Sequence, residues 1–366
     1  MDGFEQYGTV ETHLLEGVGG AAAWSQADVG DPGEGWALSA DNPATGTYHM
    51  RLVEDTDGSQ LFMRRALGQS KQVAGLGYRF QVDDLPAIEN ATAGDISLTM
   101  LGFNDVGNSE QIRIHLGTEG SVRALRFSTE LGRSDPCIAA GGYHHFEAKA
   151  KIDETTGYVE VRVNEVTVLN LTGIDTQLTA NAETSQFTFG QGGPVSTNGP
   201  GVGLFDVDDV FAWDTDASDA ENTVIDFVGD KGCYYLPVTG DTAEADWGLS
   251  AGVTGYSLLD EIPPSGTDYI DNTTGTARSI FQVAALPANV AEVIAFMPVI
   301  YARKEESGTV NIRGGVVVGT DESYGPTNSP STAYAYMEPG CKTIDPDTGV
   351  AWASDANPDL LIERTA

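Results

Sequence analysis

The sequence predicts an all-β protein made of two β-sandwich domains, jelly-roll in type, arranged in tandem. Three observations carry this. Short runs alternate apolar and polar residues, as a strand with one buried face requires. Gly (44 of 366 residues) and Pro (16) punctuate nearly every run. No long window places apolar residues at helical spacing. A chain of 366 residues suits about two domains of roughly 100–200 residues each.

The first sandwich is expected over residues 1–214. Its strand candidates are 48–53, 77–82, 95–103, 111–116, 122–128, 144–152, 187–189 and 204–213, separated by turn signals such as Asp57-Gly58, Thr156-Gly157 and Gly192-Gly193-Pro194. The clearest element is "YVEVRVNEVTVLN" at 158–170. Val159, Val161 and Val163 share one face, and Asn164-Glu165 forms a two-residue turn. In that register Val163 faces Val166 and Val161 faces Val168, and a slip of one residue turns the valines toward water. Gly is the usual second residue of such a turn, so Glu165 predicts a looser one. In "FDVDDVFAWD" the alternation changes phase after Asp209, which predicts a bulge.

An acidic linker is expected at 215–222, "TDASDAEN", which has no bulky residue. The second sandwich is expected over 223–366, with strands at 224–228, 233–237, 277–283, 293–303, 309–318, 333–337 and 359–363. Residues 293–303 and 309–318 read as a long hairpin across "KEESG", with Pro298 marking an edge or a bulge. "FQVDDLPA" (80–87) and "FQVAALPA" (281–288) differ at two positions. They read either as related sandwiches or as shared strand-exit chemistry, since Pro stops the ladder.

The formal net charge of −35 argues against nucleic acid and against an anionic membrane surface, both of which need cationic contacts. No run approaches the roughly 18 apolar residues of a membrane span, and the N-terminus carries no secretory signal. Three widely spaced cysteines, Cys137, Cys233 and Cys341, argue against a disulfide framework and a zinc site.

No catalytic residue is expected. There is no nucleophile elbow, P-loop or dinucleotide fingerprint. His144 and His145 point to opposite faces of one strand. Asp206, Asp208, Asp209 and Asp214 superficially resemble a glycosidase carboxylate set but read as a final strand. Calcium is the one cofactor the acidic clusters suggest. Asp55 and Asp57, with Asp206 and Asp208, are the metal candidates; Asp345 and Asp347 offer a further short acidic turn of the same kind, and both it and the Asp55/Asp57 turn read first as ordinary Asx turns. Carbohydrate binding would need exposed aromatics. Trp24, Trp36, Trp213, Trp247, Trp352, Tyr256, Tyr269, Tyr324, Tyr334 and Tyr336 are the candidates, and core packing is the default for each.

Several blocks, in order, carry a resemblance: "DGFEQYGT", "YRFQVDDLPA", "YHHFEAKAKIDETTGYVEVRVNEVTVLNLTGIDTQ", "VDDVFAWD", "DFVGDKGCYYLPVTGD", "LPANVAEVIAFMPVIYARKEESGTVNIRGGVVVGT" and "DPDTGVAWA". Together they resemble structural proteins of tailed bacteriophages with a concanavalin A-like (laminin G-like) sandwich. The resemblance implies a non-enzymatic virion protein made in the host cytoplasm. Its place would be an exposed appendage such as a tail fibre or tail tip, with a capsid decoration or head fibre as the alternative. It would be a homo-oligomer contacting other capsid or tail proteins. A carbohydrate-binding module that recognises a host surface glycan is a further alternative and is compatible with that setting.

Overall fold

The computed structural model describes residues 17–18, 21–22, 25–26, 35–41, 43–44, 49–53, 61–86, 97–192, 204–215, 226–252, 254–262, 264–273, 275–305 and 308–365. Asp55 and Asp57, and 216–222 of the expected linker, lie outside the described residues. The described chain is almost wholly β, with a single 3-10 turn at Tyr256–Leu258. Two compact units form within it. The first includes 25–26 and 35–215 together with 226–233. The second includes 17–18, 21–22 and 234–365.

The first unit is a sandwich of two seven-stranded antiparallel sheets. In chain order the strands up to its end are β1 (Gly17–Val18) and β2 (Ala21–Ala22), both of the second unit, then β3 (Ser25–Gln26), β4 (Gly35–Ser39), β5 (His49–Val53), β6 (Leu61–Lys71), β7 (Val73–Val82), β8 (Ser97–Asn104), β9 (Glu110–Leu116), β10 (Val122–Arg126), β11 (Thr129–Arg133), β12 (His144–Lys151), β13 (Gly157–Val163), β14 (Val166–Ile174), β15 (Thr184–Gly192) and β16 (Leu204–Asp214). The front sheet runs β14-β13-β12-β7-β16-β5-β4 and the back sheet β11-β10-β9-β8-β15-β6-β3.

Alternation decides which side chains meet between the sheets. Along β13, Val159, Val161 and Val163 are buried and Tyr158, Glu160 and Arg162 are not. Tyr78, Phe80, Phe146 and Phe205 of the front sheet are fully buried, as are Phe187 and Phe189 of the back sheet. Tyr78 stacks on Phe189 at 5.6 Å, and its hydroxyl donates to the Met100 carbonyl at 2.6 Å. That bond satisfies a buried O–H that would otherwise cost about 1–3 kcal/mol.

The β13–β14 hairpin turns at Asn164-Glu165, both at positive φ (49° and 65°), as a two-residue turn requires. Val163 pairs with Val166 as expected, but a bulge shifts the ladder so that Val161 faces Leu169 rather than Val168. Leu169 is therefore the buried residue and Val166 is exposed. Glu165 holds the turn and does not loosen it, because its Oε1 accepts the Asp230 N–H at 3.3 Å.

The bulge after Asp208 is present, with Asp209 at φ 53°. It brings Phe211 and Trp213 over β7, where Gly77 and Gly75 leave room. A Cβ at Gly77 would lie 2.5 Å from Phe211, and one at Gly75 2.4 Å from Trp213.

Residues 226–233 form a strap over the outer face of the front sheet. This differs from the strands expected at 224–228 and 233–237, since 226–237 carries no strand. The Val228 and Gly229 N–H groups donate to Glu147 Oε1 at 2.7 and 3.1 Å, and the Cys233 N–H donates to Asp209 Oδ1 at 2.5 Å. These side-chain acceptors replace a ladder. Lys149 holds Asp226 at 2.6 Å and Arg79 holds Asp230 at 2.7 Å. Phe227 lies beneath the charged heads of Lys149 (4.6 Å) and Arg162 (3.9 Å).

The second unit adds β17 (Val238–Ala245), β18 (Gly248–Leu249), β19 (Ile270–Asp271), β20 (Ala277–Val283), β21 (Ile300–Ala302), β22 (Ile312–Val318), β23 (Asp321–Tyr324), β24 (Ala335–Met337) and β25 (Asp359–Arg364). A five-stranded sheet runs β17-β20-β25-β22-β23, a four-stranded sheet β2-β1-β24-β21, and β18 pairs with β19. Ile300 and Met337 from the smaller sheet pack with Ile312 and Ile362 from the larger one, which makes this a second sandwich.

The long hairpin expected over 293–318 does not form. β21 pairs with β24, and β22 pairs with β23 and β25. Pro298, just before β21, supplies no backbone donor, which is consistent with the short strand. In the "FQV" repeat, β7 and β20 both end at the Val, residues 82 and 283. However, β7 is central among seven strands and β20 lies next to the edge among five. The shared feature is strand exit.

Candidate functional site

Three aspartates expected on the last strand of the first unit are buried. Asp206 is 2% exposed, and Asp208 and Asp209 are fully buried. Asp206 receives a bidentate pair from Arg51, Nε to Oδ1 at 2.7 Å and Nη2 to Oδ2 at 2.9 Å. His49 Nε2 lies 3.3 Å from the same Oδ1. Burial pushes the Asp206 carboxyl up, but the adjacent His49 and the hydrogen bonds and charge of Arg51 outweigh it, leaving the group below its ordinary range. Asp208 Oδ1 accepts the Asp209 N–H at 2.8 Å, and Arg79 pairs with Asp209 at 3.1 Å. These carboxylates are matched to cations and amides of the same sheet. Among the described residues no group of three or more His, Cys, Asp or Glu is placed to hold a metal ion. Asp345 Oδ1 accepts the Asp347 N–H at 2.9 Å, an Asx turn.

His144 and His145 do point apart. His144 packs near Phe80 at 5.6 Å, and His145 stacks on Phe211 at 6.1 Å. Burial lowers the His145 pKa and, more strongly, that of His115.

The aromatic candidates separate into two groups. Trp213 and Trp352 are core residues, the latter donating Nε1–H to the Lys342 carbonyl at 2.7 Å. Tyr324 is covered by Arg313 at 3.5 Å. By contrast, Trp247, Tyr269, Tyr334 and Tyr336 converge on a pocket of about 510 Å³ in the second unit. The side chains of Trp24 and Trp36 lie outside the described residues.

The pocket draws on Trp247 just before β18, on β19, on β21 and its extension to Glu305, and on β24 and β25. Tyr301 and Tyr336 are direct cross-strand partners, with ring centroids 4.7 Å apart. Tyr334 stacks on Tyr301 at 5.1 Å with rings 10° from parallel. The Arg303 guanidinium caps Tyr334 at 4.8 Å. The series runs from a buried Tyr336, through half-buried Tyr301 and Tyr334, to an exposed Arg303.

Polar groups line the same wall. Arg364 Nη1 donates to the Asn272 backbone and side-chain oxygens at 2.6 and 2.9 Å. Burial, joined by Asp260 and Asp268, raises the Glu261 carboxyl above its ordinary range. Tyr235, Tyr301 and Phe281 also line the pocket, although sequence reasoning did not single them out. "VIYARK" alternates Tyr301 with Arg303 and was the available signal for part of this set.

No protein-family model matches the chain, and no curated protein does. Among solved structures the chain is similar to a sialidase (14% identity, 50% of this chain, TM-score 0.35), of whose length it covers 17%. It is also similar to an alginate lyase, AlgAT5 from polysaccharide lyase family 7 (12%, 55% of this chain and 94% of that one, TM-score 0.37). A third likeness is to carbohydrate-binding module CBM66 from Bacillus subtilis (9%, 53% and 98%, TM-score 0.33). Similarity at this level assigns no activity.

Proposed function

We propose that the chain is a non-catalytic carbohydrate-binding protein whose site is the aromatic pocket of the second unit. One observation carries this reading. Tyr301 and Tyr334 stack in the wall of a pocket that also offers Arg303, Lys304, Arg364, Glu261, Asp268 and Asp271. A sugar ring presents a C–H face that packs on an aromatic ring, and hydroxyls that need both donors and acceptors at the edge. A pocket of about 510 Å³ falls in the usual range of roughly 300–1,000 Å³ for small-ligand sites. The buried, cation-paired aspartates of β16 support a structural role for that strand.

The setting we propose is the exterior of a tailed-phage particle, where the protein would contact a host surface glycan as part of an adsorption appendage. The ordered sequence blocks support this placement, and the net charge of −35 suits an exposed particle component.

The test is a glycan array followed by titration of the best ligand against Tyr301→Ala, Tyr334→Ala and Tyr324→Ala. Loss of about tenfold or more in affinity is expected for the first two, as for truncation of an aromatic anchor. Tyr324→Ala should bind normally. Absence of any glycan ligand, or equal binding by all three variants, would remove the reading.

A further inference from the structure

The outermost ring of the pocket's tyrosine series is already covered by a side chain of the same chain. β21 and β24 pair with Ile300 opposite Met337, Tyr301 opposite Tyr336 and Ala302 opposite Ala335, and the next step of that register sets Arg303 opposite Tyr334. Alternate residues of one strand stand about 7 Å apart, the room that one interleaved ring needs. The four side chains use that room. Tyr301 lies 4.7 Å from Tyr336, Tyr334 lies 5.1 Å from Tyr301, and the Arg303 guanidinium lies 4.8 Å over the Tyr334 ring. The two strands alternate through the series, so Tyr301 backs one face of Tyr334 and Arg303 covers the other.

The side chain of this cap is weakly held, whereas its backbone is fixed. The Lys304 N–H donates to the Ser331 carbonyl at 2.8 Å, which ties down the strand extension beside Arg303. The guanidinium has a 3.7 Å ion pair with Glu305, whose side chain is 77% exposed. An exposed ion pair of that length is screened and contributes little. An exposed cation–π contact is worth about two- to fivefold in an equilibrium constant. Turning the Arg303 side chain about its own bonds therefore uncovers Tyr334 without moving β21 or β24. Tyr334 is half-buried, Arg303 is exposed, and both line the pocket.

We propose that Arg303 is a displaceable cap: in the free chain it occupies the outer face of Tyr334, and it swings away as the C–H face of a pyranose ring takes its place. This rests on the carbohydrate reading above and describes how that site is regulated. A pyranose with equatorial hydroxyls presents a flat face of axial C–H bonds, which matches the ring face that Arg303 leaves. The sugar then packs on the Tyr334–Tyr301 stack, with Tyr301 behind. Only the uncapped fraction of the chain is competent to bind, and the apparent affinity is reduced by that fraction. Arg303 competes with the ligand, so its removal strengthens binding. A side chain that contacted the bound sugar would have the opposite effect.

The experiment is calorimetric titration of the full chain with cellotetraose, a tetramer of such rings, for wild type, Arg303→Ala and Arg303→Gln, with rates from stopped-flow tryptophan fluorescence. Both variants should bind about two- to fivefold more tightly than wild type. The gain should lie in the association rate and leave the dissociation rate unchanged, because Arg303 does not touch the bound sugar. Far-UV circular dichroism checks that each variant is folded, and Arg303→Gln gives the reading if Arg303→Ala is not. Unchanged or weaker binding by the folded variants overturns the cap and leaves a carbohydrate site. A gain carried by the dissociation rate also overturns it. Binding of cellotetraose by none of the three proteins overturns the inference. If the array also yields no glycan, the carbohydrate reading falls with it.

Discussion

Replacing Asp206 by Asn should destabilise the first unit by about 3 kcal/mol while leaving the second unit's stability unchanged. Asn keeps the shape of the side chain but removes the charge that Arg51 grips through two hydrogen bonds, at 2.7 and 2.9 Å. Breaking one side of a buried ion pair costs about 3–5 kcal/mol, because the partner's charge is left uncompensated. The lower end applies here. The Arg51 side chain retains 17% exposure and has Asp41, itself mostly in water, at 3.5 Å. With a urea slope of about 2–3 kcal/mol/M, the first unit's midpoint should fall by about 1–1.5 M. Urea titration followed by circular dichroism and tryptophan fluorescence would resolve it. Replacing both partners with apolar residues, Arg51→Met with Asp206→Leu, should recover most of the loss, since desolvation of the pair is no longer required. A change below about 0.5 kcal/mol in Asp206→Asn would refute the argument that this pair sustains the outer face of the front sheet. The pH dependence follows the same logic. The Asp206 carboxyl is held below its ordinary range in the folded chain. Its stabilisation is therefore full above the unfolded pKa of about 3.9 and is lost as pH falls through the lower folded value.

Two further perturbations test other parts of the fold. Gly77→Ala places a Cβ 2.5 Å from Phe211 and 2.8 Å from Glu147 Cγ, and should cost about 1–3 kcal/mol by overpacking, read as a fall in the first unit's melting temperature. Asp105 accepts from the Gly107 and Ser109 amides and from Gln111, Thr179 and Asn181. Burial raises its carboxyl, but these bonds lower it further than burial lifts it. Asp105→Asn should therefore be less stable at pH 7 and show a shallower loss of stability below about pH 4, measured by urea titration across the acid range.

The first sandwich was legible because its strands are long and buried on one side. The valines of β13 fix their own phase, and the change of phase after Asp209 announced the bulge. What escaped was set by contacts distant in sequence. Leu169 replaces Val168 opposite Val161 because a bulge takes up one residue, and no local pattern signals it. The strap at 226–233 looked like a strand through Val224, Phe227 and Val228, yet its backbone is satisfied by Glu147, Glu165 and Asp209, up to 82 residues away in sequence. In the second unit β21 has three residues, too few to show alternation, and its partner β24 begins 33 residues later. The pocket is assembled from such segments. Several of its Trp and Tyr residues were visible as candidates, but only folding separates Trp247, Tyr269 and Tyr334 from the core residues Trp213 and Trp352.

The most direct test of the central claim is a crystal structure of the full chain with the oligosaccharide that binds best on the array. The account predicts a sugar ring packed on Tyr301 and Tyr334 in the pocket of the second unit. A sugar held anywhere else on the chain, with those tyrosines uncovered, would contradict it.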